Sequence, residues 1–203
     1  KKNLFSNEAS LKYFLMGSFS TGILLLGITL VYGATGSFHL IAPENGFKQE
    51  QFLHSAGLIL IFAAMNFKVS AAPFHFWTPD VYDGAPTVFT SFMATIVKAA
   101  GFFAFITIFQ VQSQAFGFTW TIILPFVTIS TLLVGNITAV FQRSVKRMLA
   151  YSSIAQVGFM LFALYGTSTF ANEGILLYMT AYSLATIGIF AVLVKMKENS
   201  FEA

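Results

Sequence analysis

Charge is scarce in this sequence: only 9% of its 203 residues are Asp, Glu, Lys or Arg. A soluble domain usually carries about 25%. Cysteine is absent altogether, which excludes disulfides, thiolate metal sites and cysteine-ligated iron–sulfur clusters within the chain. No short apolar segment is followed by a small-residue cleavage site, so a signal peptide is not indicated. We expect an internal fragment of a longer membrane protein.

Several motifs that carry chemistry are also missing. The sequence contains no phosphate-binding glycine loop, nucleophile elbow, metal-ligand cluster or dinucleotide fingerprint. We therefore expect no metal, no cofactor and no bond-making chemistry in this chain. The formal net charge of +3 comes from basic residues at the ends of apolar runs, without a basic face. This distribution argues against a nucleic-acid partner.

Hydrophobic residues are abundant instead, at 56% of the chain. They form six runs that are each near the ~20 residues needed to cross a bilayer. The sequence therefore predicts an all-α, polytopic transmembrane bundle, with 1–203 as a single membrane domain. The second span is expected to be discontinuous, a polar turn is expected at 110–114, and Pro125 is expected to kink the fourth span. The predicted spans are 11–32, 51–69 with a restart at 73–82, 86–109, 118–141, 146–165 and 174–194.

The positions of the basic residues predict an orientation. If the N-terminus lies inside, the only Lys or Arg in the outer loops is Lys48. The positive-inside rule then places both ends of the chain in the cytoplasm. On this interpretation topology alone explains the basic cluster after the fourth span. The inner segments after that span carry Arg143, Lys146, Arg147, Lys195 and Lys197.

A weak internal repeat relates the two ends of the chain. Aligning residues 7–21 with 172–186 gives six identities in fifteen positions. The first and sixth spans cross in opposite directions, as in the inverted repeats of secondary transporters, where ions bind near the midplane. We therefore expect an inverted repeat that relates the two ends of the chain. The identical pairs are Asn7/Asn172, Glu8/Glu173, Leu11/Leu176, Tyr13/Tyr178, Ser18/Ser183 and Thr21/Thr186.

Two lysines stand alone inside the apolar runs. Lys68 is the only fully charged side chain at neutral pH from 51 to 78, and Lys98 is the only one from 84 to 142. A charge at the centre of such a run costs roughly 2.5–3.5 kcal/mol on insertion scales. The pair therefore indicates ion or proton movement through a membrane. The alternatives are that Lys68 snorkels to the interface and that Lys98 pairs with an acid outside this chain.

A proline follows Lys68 closely. Pro73 lacks the N–H that would bond the carbonyl of Val69, so the helix should break there. Free carbonyls are then expected near Lys68, in a last helical turn whose negative end favours an ammonium. Ser70 and His75 are close enough in sequence to join this network. His75 either relays protons or holds the break together.

Other polar residues receive structural interpretations. His54 and His39 fall near the outer surface and are expected to be solvated. Asp80 and Asp83 are expected to cap the third span and the turn that follows them. On the fifth span a polar stripe predicts interhelical hydrogen bonds and some part in a water path. The stripe consists of Tyr151, Ser152, Ser153 and Gln156.

Residues 67–87, FKVSAAPFHFWTPDVYDGAPT, closely resemble the antiporter-like membrane subunits of respiratory complex I (NADH:quinone oxidoreductase), especially the N-type members. EASLKY at 8–13 and VKRMLAYSSI at 145–154 share this resemblance, so it covers almost the whole chain. Subunits of cation/proton antiporters and membrane-bound hydrogenases have the same fold and form the alternative. A purely structural membrane scaffold is a third class, against which the mid-span lysines argue.

The resemblance implies two inverted repeats, with 1–110 at the end of the first and 118–203 at the start of the second. It also implies a function in proton translocation. It makes Lys68 a principal proton-binding residue, Lys98 its connection to a central hydrophilic axis, and Lys12 a further conducting lysine. It implies a bacterial inner membrane, with lipid, protons and other complex I membrane subunits as partners. Quinone reduction would occur elsewhere in a complex that uses NADH, flavin, iron–sulfur clusters and quinone. Many members have His where this chain has Gln156, so no titratable relay is expected there.

Overall fold

The computed structural model describes residues 4–39, 51–166 and 169–199, without the side chains of 51, 110–119, 169 and 197–199. Backbone hydrogen bonding defines seven α-helices in these ranges, and a π-helical turn, Met93–Val97, joins the fourth to the fifth. The helices are α1 (Leu4–Thr35), α2 (Gln51–Val69), α3 (Trp77–Gly84), α4 (Thr87–Phe92), α5 (Lys98–Val140), α6 (Val145–Leu164) and α7 (Thr169–Asn199).

Six segments of the described chain are long and apolar enough to cross a membrane. The predicted all-α, polytopic fold is therefore confirmed. Most of the predicted outer loop, 33–50, lies outside the described residues. The segments are Leu4–Thr35, Phe52–Val69, Thr87–Phe109, Trp120–Val140, Val145–Leu164 and Phe170–Met196.

Helix α5 supplies two of these segments because it does not run straight. The rings of Phe109 and Trp120 stack with their centroids 5.2 Å apart. In a straight helix the residues between them would span about 16 Å. The chain therefore bends sharply between Phe109 and Trp120. Its backbone hydrogen bonding stays helical through 110–119, so the turn predicted at 110–114 does not interrupt the helix. The side chains of 110–114 lie outside the described residues, and Pro125 lies within the second limb.

α1 packs antiparallel to α2 along a seam of small residues. A Cβ atom built on Gly27 would lie 2.8 Å from the carbonyl oxygen of Gly57, and the reciprocal distance is also 2.8 Å. Further along the seam, Ser20 Oγ donates to the carbonyl of Ala64 at 3.3 Å. Small residues allow membrane helices to approach this closely. The seam fixes α1 against the first half of the broken span.

α1 also reaches the second half of that span. A Cβ atom on Gly84, at the end of α3, would lie 2.7 Å from the Cβ of Ala9. The ring of Tyr13 packs on Trp77 with 5.2 Å between centroids. α1 therefore runs alongside α2, the break and α3, and it forms one wall of the region around Lys68.

The π-helical turn stands directly before Lys98. Met93, Ala94 and Thr95 of this turn are buried, and the turn packs against α7. A π turn holds one residue more than the same stretch of α-helix and often occurs at functional sites. The direction of every side chain after it, beginning with Lys98, depends on this extra residue.

One sequence expectation fails in the core. His54 is 1% exposed, so the prediction that it is solvated was wrong. It lies one turn before Leu58 and two turns before Ile61, on the face of α2 that packs into the main apolar cluster. Helical periodicity places it on this buried face although it stands near the beginning of the span. His39 is exposed, as expected.

Candidate functional site

The end of α2 is closed by its own backbone. Ser70 has a φ of 69°, in the left-handed region. The N–H groups of Ser70 and Ala71 donate to the carbonyls of Phe67 and Asn66 at 3.1 and 2.9 Å. This is a Schellman motif with Ser in the position that Gly usually takes. The expectation of free carbonyls beside Lys68 is therefore wrong for these two groups, because the cap satisfies them.

Side chains from α3 complete the cap. Trp77 Nε1 donates a second hydrogen bond to the carbonyl of Phe67, at 3.0 Å. Thr78 Oγ1 donates to Ser70 Oγ at 2.6 Å, and both residues are fully buried. Polar groups of a broken helix are tolerated at membrane depth only when protein or water satisfies them. Here the two half-helices satisfy each other.

The centre of the break is bonded to a different helix. The N–H of Ala72 donates to Thr131 Oγ1 in the second limb of α5, at 2.9 Å. A cis peptide bond joins Ala72 to Pro73. α3 begins at Trp77, so the predicted restart at Pro73 was four residues too early. His75 is half-buried, and its Nδ1 has no hydrogen-bond partner among the described residues.

Lys68 lies in the last turn of α2, as predicted. It is half-buried and lines an open groove of about 550 Å³. The opposite wall of the groove is α1, at Tyr13, Gly17 and Thr21. The ammonium forms no hydrogen bond or ion pair with the part of the chain that the structure describes. Lys68 is therefore accessible from the groove, and Ser70 and His75 do not bind it.

Lys98 is enclosed, with 2% of its surface exposed. Its Nζ donates to the hydroxyl of Ser153 at 2.8 Å and to the carbonyl of the same residue at 3.1 Å. The ring of Tyr82 lies 5.9 Å from the ammonium. Ser153 Oγ in turn donates to the carbonyl of Ala150 at 2.8 Å. Within the described residues, Lys98 thus binds neutral oxygens and has no carboxylate partner.

The two lysine-bearing turns touch each other. A Cβ atom on Gly101, one turn after Lys98, would lie 2.9 Å from the side chain of Val69, which follows Lys68. Only a residue without a side chain allows this approach. The end of α2 and the start of α5 therefore form one continuous region that contains both lysines.

Lys12 occupies a different environment, an ion cluster that joins three helices. Its Nζ lies 2.8 Å from Glu8 Oε1 and 2.8 Å from Asp80 Oδ2. Arg147 Nη1 binds the other oxygen of Asp80 at 2.9 Å. These four residues line a cleft of about 200 Å³. Burial alone would raise the pKa of Asp80, but the hydrogen bond and charge of Lys12, and then those of Arg147, hold it below its ordinary value.

Asp83 and Lys146 extend this cluster. Asp83 Oδ1 accepts from Ser144 Oγ at 2.7 Å, and Lys146 Nζ donates to the carbonyl of Ala85 at 2.7 Å. Pro86 occupies the cap position of α4, without a side-chain hydrogen bond. The predicted capping role of the two aspartates was therefore wrong.

The interpretation of the basic cluster by topology alone was also wrong. Arg147 and Lys146 bind groups of the segment around α3, and Ser144 caps α6 by accepting from the N–H of Arg147 at 3.5 Å. α3 lies across the start of α6, so opposite charges from distant parts of the chain meet there. Sequence spacing carries no information on such a crossing.

Within the polar stripe of α6, Ser153 contacts Lys98 and Gln156 contacts α7. Gln156 Oε1 accepts a hydrogen bond from the hydroxyl of Tyr178. Tyr151 and Ser152 are half-buried on the same helix. The interhelical hydrogen bonds expected of this stripe are therefore present at two of its four members.

Two tyrosines of this region were missed by the sequence reasoning. Tyr82 is completely buried, and its hydroxyl has no hydrogen-bond partner among the described residues. Tyr178 of α7 donates to Gln156. A signal for the second tyrosine existed, because Tyr178, Tyr182 and Thr186 recur every four residues along one helix face.

The chain has few side chains that could bind a metal ion or an iron–sulfur cluster. Cysteine is absent from the sequence. In 4–39, 51–166 and 169–199, no three His, Asp or Glu side chains gather as metal ligands.

Known proteins resemble this chain along nearly its whole length. A family model described as NADH:quinone oxidoreductase/Mrp antiporter, TM, matches residues 1–202. NADH-quinone oxidoreductase subunit N of Trichlorobacter lovleyi is 45% identical over 195 residues, which is 93% of this chain and 40% of the relative. The subunit N of Cytophaga hutchinsonii is 44% identical over 200 residues, which is 98% of this chain and 43% of the relative. The chain thus spans about two fifths of these relatives.

Solved structures agree with this result. A chain of respiratory complex I from Thermus thermophilus, with bound aureothin, matches with a TM-score of 0.78 and 43% identity over 92% of this chain and 40% of its own length. A chain of the archaeal membrane-bound sulfane sulfur reductase gives a TM-score of 0.81 at 28% identity, over 94% of this chain and 40% of its own. A chain of the Mrp complex from Dietzia shares the fold, with a TM-score of 0.80 at 20% identity over 95% of this chain and 36% of its own.

Proposed function

Because this chain belongs to the family of NADH:quinone oxidoreductase and Mrp antiporter membrane subunits, we propose that it moves protons across a bacterial inner membrane as part of an NADH:quinone oxidoreductase. The observation that carries this proposal is the enclosed ammonium of Lys98, whose partners among the described residues are neutral oxygens of Ser153. A membrane protein rarely retains such a costly group without a function.

Lys68 and Lys98 have complementary roles in this proposal. Lys68 lies at the end of a half-helix and borders an open groove, so it exchanges protons with groups beyond α1. Lys98 is enclosed and holds a proton between α5 and α6. Lysine suits both positions because its compact ammonium can give up a proton and regain it. The contact of Val69 with Gly101 supports transfer between the two lysines through water.

Lys12 is proposed as a further conducting lysine at the rim of this path. Glu8 and Asp80 hold its ammonium at one end of the bundle. With the orientation from the positive-inside rule, this end faces the cytoplasm, as do both ends of the chain. Lys12 would then exchange protons with the cytoplasm.

Redox chemistry is proposed to occur in other subunits. The absence of cysteine leaves no thiolate for an iron–sulfur cluster in this chain. NADH, flavin, the clusters and quinone would bind elsewhere, and quinone reduction would be coupled to proton movement at a distance. The other membrane subunits and lipid are the proposed partners. The parts 1–110 and 118–203 are proposed to belong to two inverted repeats.

A cation/proton antiporter subunit is the second candidate. The family model includes antiporter subunits, and a chain of an Mrp complex has the same fold. The subunit N relatives at 44–45% identity favour the first candidate. Sodium flux without coupling to quinone reduction would favour the second.

Alanine substitution of the two lysines tests the proposal. Lys68→Ala and Lys98→Ala are introduced singly into the full-length subunit, and the complete complex is reconstituted in proteoliposomes. We expect NADH-driven proton pumping and coupled quinone reduction to fall in both, while the complex still assembles. Lys195→Ala, which removes an exposed lysine, serves as the control. Wild-type pumping in both lysine variants would refute the mechanism.

A further inference from the structure

A threonine of α5 holds the break that follows Lys68. Thr131, in the second limb of α5, is fully buried. Its Oγ1 accepts from the N–H of Ala72 at 2.9 Å and donates to the carbonyl of Val127, one turn earlier in its own helix, at 2.6 Å. Because the hydroxyl proton is committed to Val127, the lone pairs of the oxygen are available to Ala72. One side chain thus joins α5 to the centre of the break.

The amide of Ala72 depends on this bond. The preceding amides, those of Ser70 and Ala71, donate to carbonyls of α2 itself. The N–H of Ala72 donates to Thr131 instead, and only 2% of Ala72 is exposed, so the amide has little access to water. A buried N–H that loses its partner costs about 1–3 kcal/mol. The conformation of the break is therefore tied to the position of Thr131.

Two contacts with α5 bracket the end of α2. Val69, directly after Lys68, packs against Gly101 in the first limb, where an added Cβ would lie 2.9 Å away. Ala72, four residues after Lys68, is bonded to Thr131 in the second limb. The backbone that carries Lys68 is thus attached to both limbs of one bent helix. Of the two attachments, only the hydrogen bond to Thr131 is directional, since apolar packing is not.

The second limb is in turn fixed against α6. A Cβ added at Gly135, one turn after Thr131, would lie 2.5 Å from the backbone nitrogen of Ala155. Only a residue without a side chain allows two backbones to approach so closely. Two residues before Ala155 on the same helix, Ser153 binds the ammonium of Lys98. Thr131 therefore connects the break beside Lys68 to the helix that holds Lys98.

We propose that Thr131 is a positioning residue for Lys68. Its hydroxyl holds the break so that the ammonium of Lys68 stays in the groove beside α1. The inference rests on the proposed function, in which Lys68 exchanges protons from that groove. Thr131 carries no proton itself, because its hydroxyl bonds backbone groups of Val127 and Ala72 and not the ammonium. It acts only through the backbone that presents Lys68.

Thr131→Val and Thr131→Ser test the role because each removes a different part of the side chain. Valine keeps the shape of threonine without its oxygen, whereas serine keeps the hydroxyl without the methyl group. Both are made in the full-length subunit and studied in the complete complex in proteoliposomes. We expect Thr131→Val to lower NADH-driven pumping per assembled complex about 10-fold, within the roughly 100-fold that a misplacement of about 1 Å can cost. Thr131→Ser should recover most of this loss.

Two measurements separate positioning from a general loss of structure. In Thr131→Val the maximal rate should fall while the quinone concentration at half-maximal rate stays unchanged, because quinone reduction is proposed to occur in other subunits. Hydrogen exchange at the Ala72 amide should be faster in Thr131→Val than in wild type or Thr131→Ser, since the amide has lost its acceptor. A general loss of structure would instead reduce the amount of assembled complex and leave the rate of each complex unchanged.

Thr180→Val is the matched control. Thr180 is exposed, and its hydroxyl makes the same kind of bond to a carbonyl one turn earlier, that of Leu176 at 2.8 Å. This variant should pump as wild type does and should leave exchange at Ala72 unchanged. An equal loss of pumping in Thr180→Val would overturn the proposal, because the bond within the helix would then matter and the bond to Ala72 would not.

Three results with the Thr131 variants would also overturn the proposal. Wild-type pumping in Thr131→Val would do so even with faster exchange at Ala72, because Thr131 would then serve stability alone. Equal losses in Thr131→Val and Thr131→Ser would assign the effect to packing of the methyl group. If Thr131→Val does not assemble, Thr131→Ala takes its place with the same expectations. Failure of both to assemble would assign the hydroxyl to folding and would end the positioning role.

Lys68→Ala distinguishes this inference from the proposed function. If Lys68→Ala loses pumping and Thr131→Val does not, Lys68 conducts without help from Thr131, and only the positioning role is refuted. If Lys68→Ala pumps as wild type does, the positioning role is refuted whatever Thr131→Val does, since the residue to be positioned has no function. The proposed function is refuted only when Lys98→Ala pumps normally as well.

Discussion

Replacing Lys98 by methionine should abolish proton pumping without unfolding the protein. Methionine keeps an unbranched side chain of similar length but has no charge and no donor. The variant loses two hydrogen bonds from the ammonium to Ser153, worth about 1.5–3 kcal/mol each for a charged donor. It also loses the penalty for burying an ion, which is several kcal/mol. These effects nearly cancel, so stability should stay within about 2 kcal/mol of wild type.

Lys98→Ala provides the contrast. It removes the same charge but also leaves a cavity where the methylene stem packs, which costs about 2–5 kcal/mol. Thermal denaturation of the assembled complex should therefore rank wild type and Lys98→Met together and Lys98→Ala below them. Pumping, followed with a pH-sensitive dye in proteoliposomes, should be lost in both variants. Lys195→Met, at an exposed position, controls for the loss of a positive charge.

One combination of results would refute this reasoning. If Lys98→Met were as unstable as Lys98→Ala and the surviving complex pumped normally, the ammonium would be a structural group. Its bonds to Ser153 would then serve to join α5 to α6, and the functional interpretation of the enclosed charge would fail.

Three further predictions concern stability and are measured by thermal denaturation of the assembled complex. Gly57→Ala should destabilise by about 1–3 kcal/mol, because the new Cβ meets the α1 backbone at 2.8 Å; Gly188→Ala, with open space around it, should not, and equal effects would refute the seam. Ser70→Gly should be more stable than Ser70→Ala by about 1 kcal/mol, since only glycine adopts the φ of 69° without strain; the opposite order would contradict the cap. Asp80→Asn should lower stability at pH 7. Because the folded-state pKa of Asp80 is depressed, its contribution is complete above about pH 4 and is lost as the pH falls through the folded value; a difference that persisted unchanged at pH 2 would exclude the ion cluster as its cause.

The features that sequence predicted well are those that a single segment determines. Lys68 and Lys98 stand out because each is alone in a long apolar run, and the cost of that isolation does not depend on neighbours. The break after α2 was predicted from the chemistry of Pro73, although left-handed Ser70 already ends the helix before Pro73 is reached. The bend between Phe109 and Trp120 also falls where the local polarity rises, although the helix continues through it.

The features that sequence missed depend on which helices cross. The residues next to Asp80 in the sequence suggest that it caps a helix end. In the structure, α1 and α6 bring Lys12 and Arg147 to its carboxylate. Ser153, the hydrogen-bond partner of Lys98, lies 55 residues away in the sequence, and the packing of α5 against α6 brings the two together. The prediction that His54 is solvated failed for a simpler reason. It was based on the position of His54 near the start of its span and did not consider which face of the helix the residue occupies.

The π-helical turn before Lys98 determines the direction in which the side chain of this lysine points. Each residue of an α-helix turns the chain by about 100°, so the extra residue in Met93–Val97 sets the direction of everything that follows. If these residues wound as a regular α-helix with none removed, Lys98 would turn away from Ser153 by roughly that angle. A sequence change that leaves every contact residue in place can therefore disconnect the buried ammonium from α6.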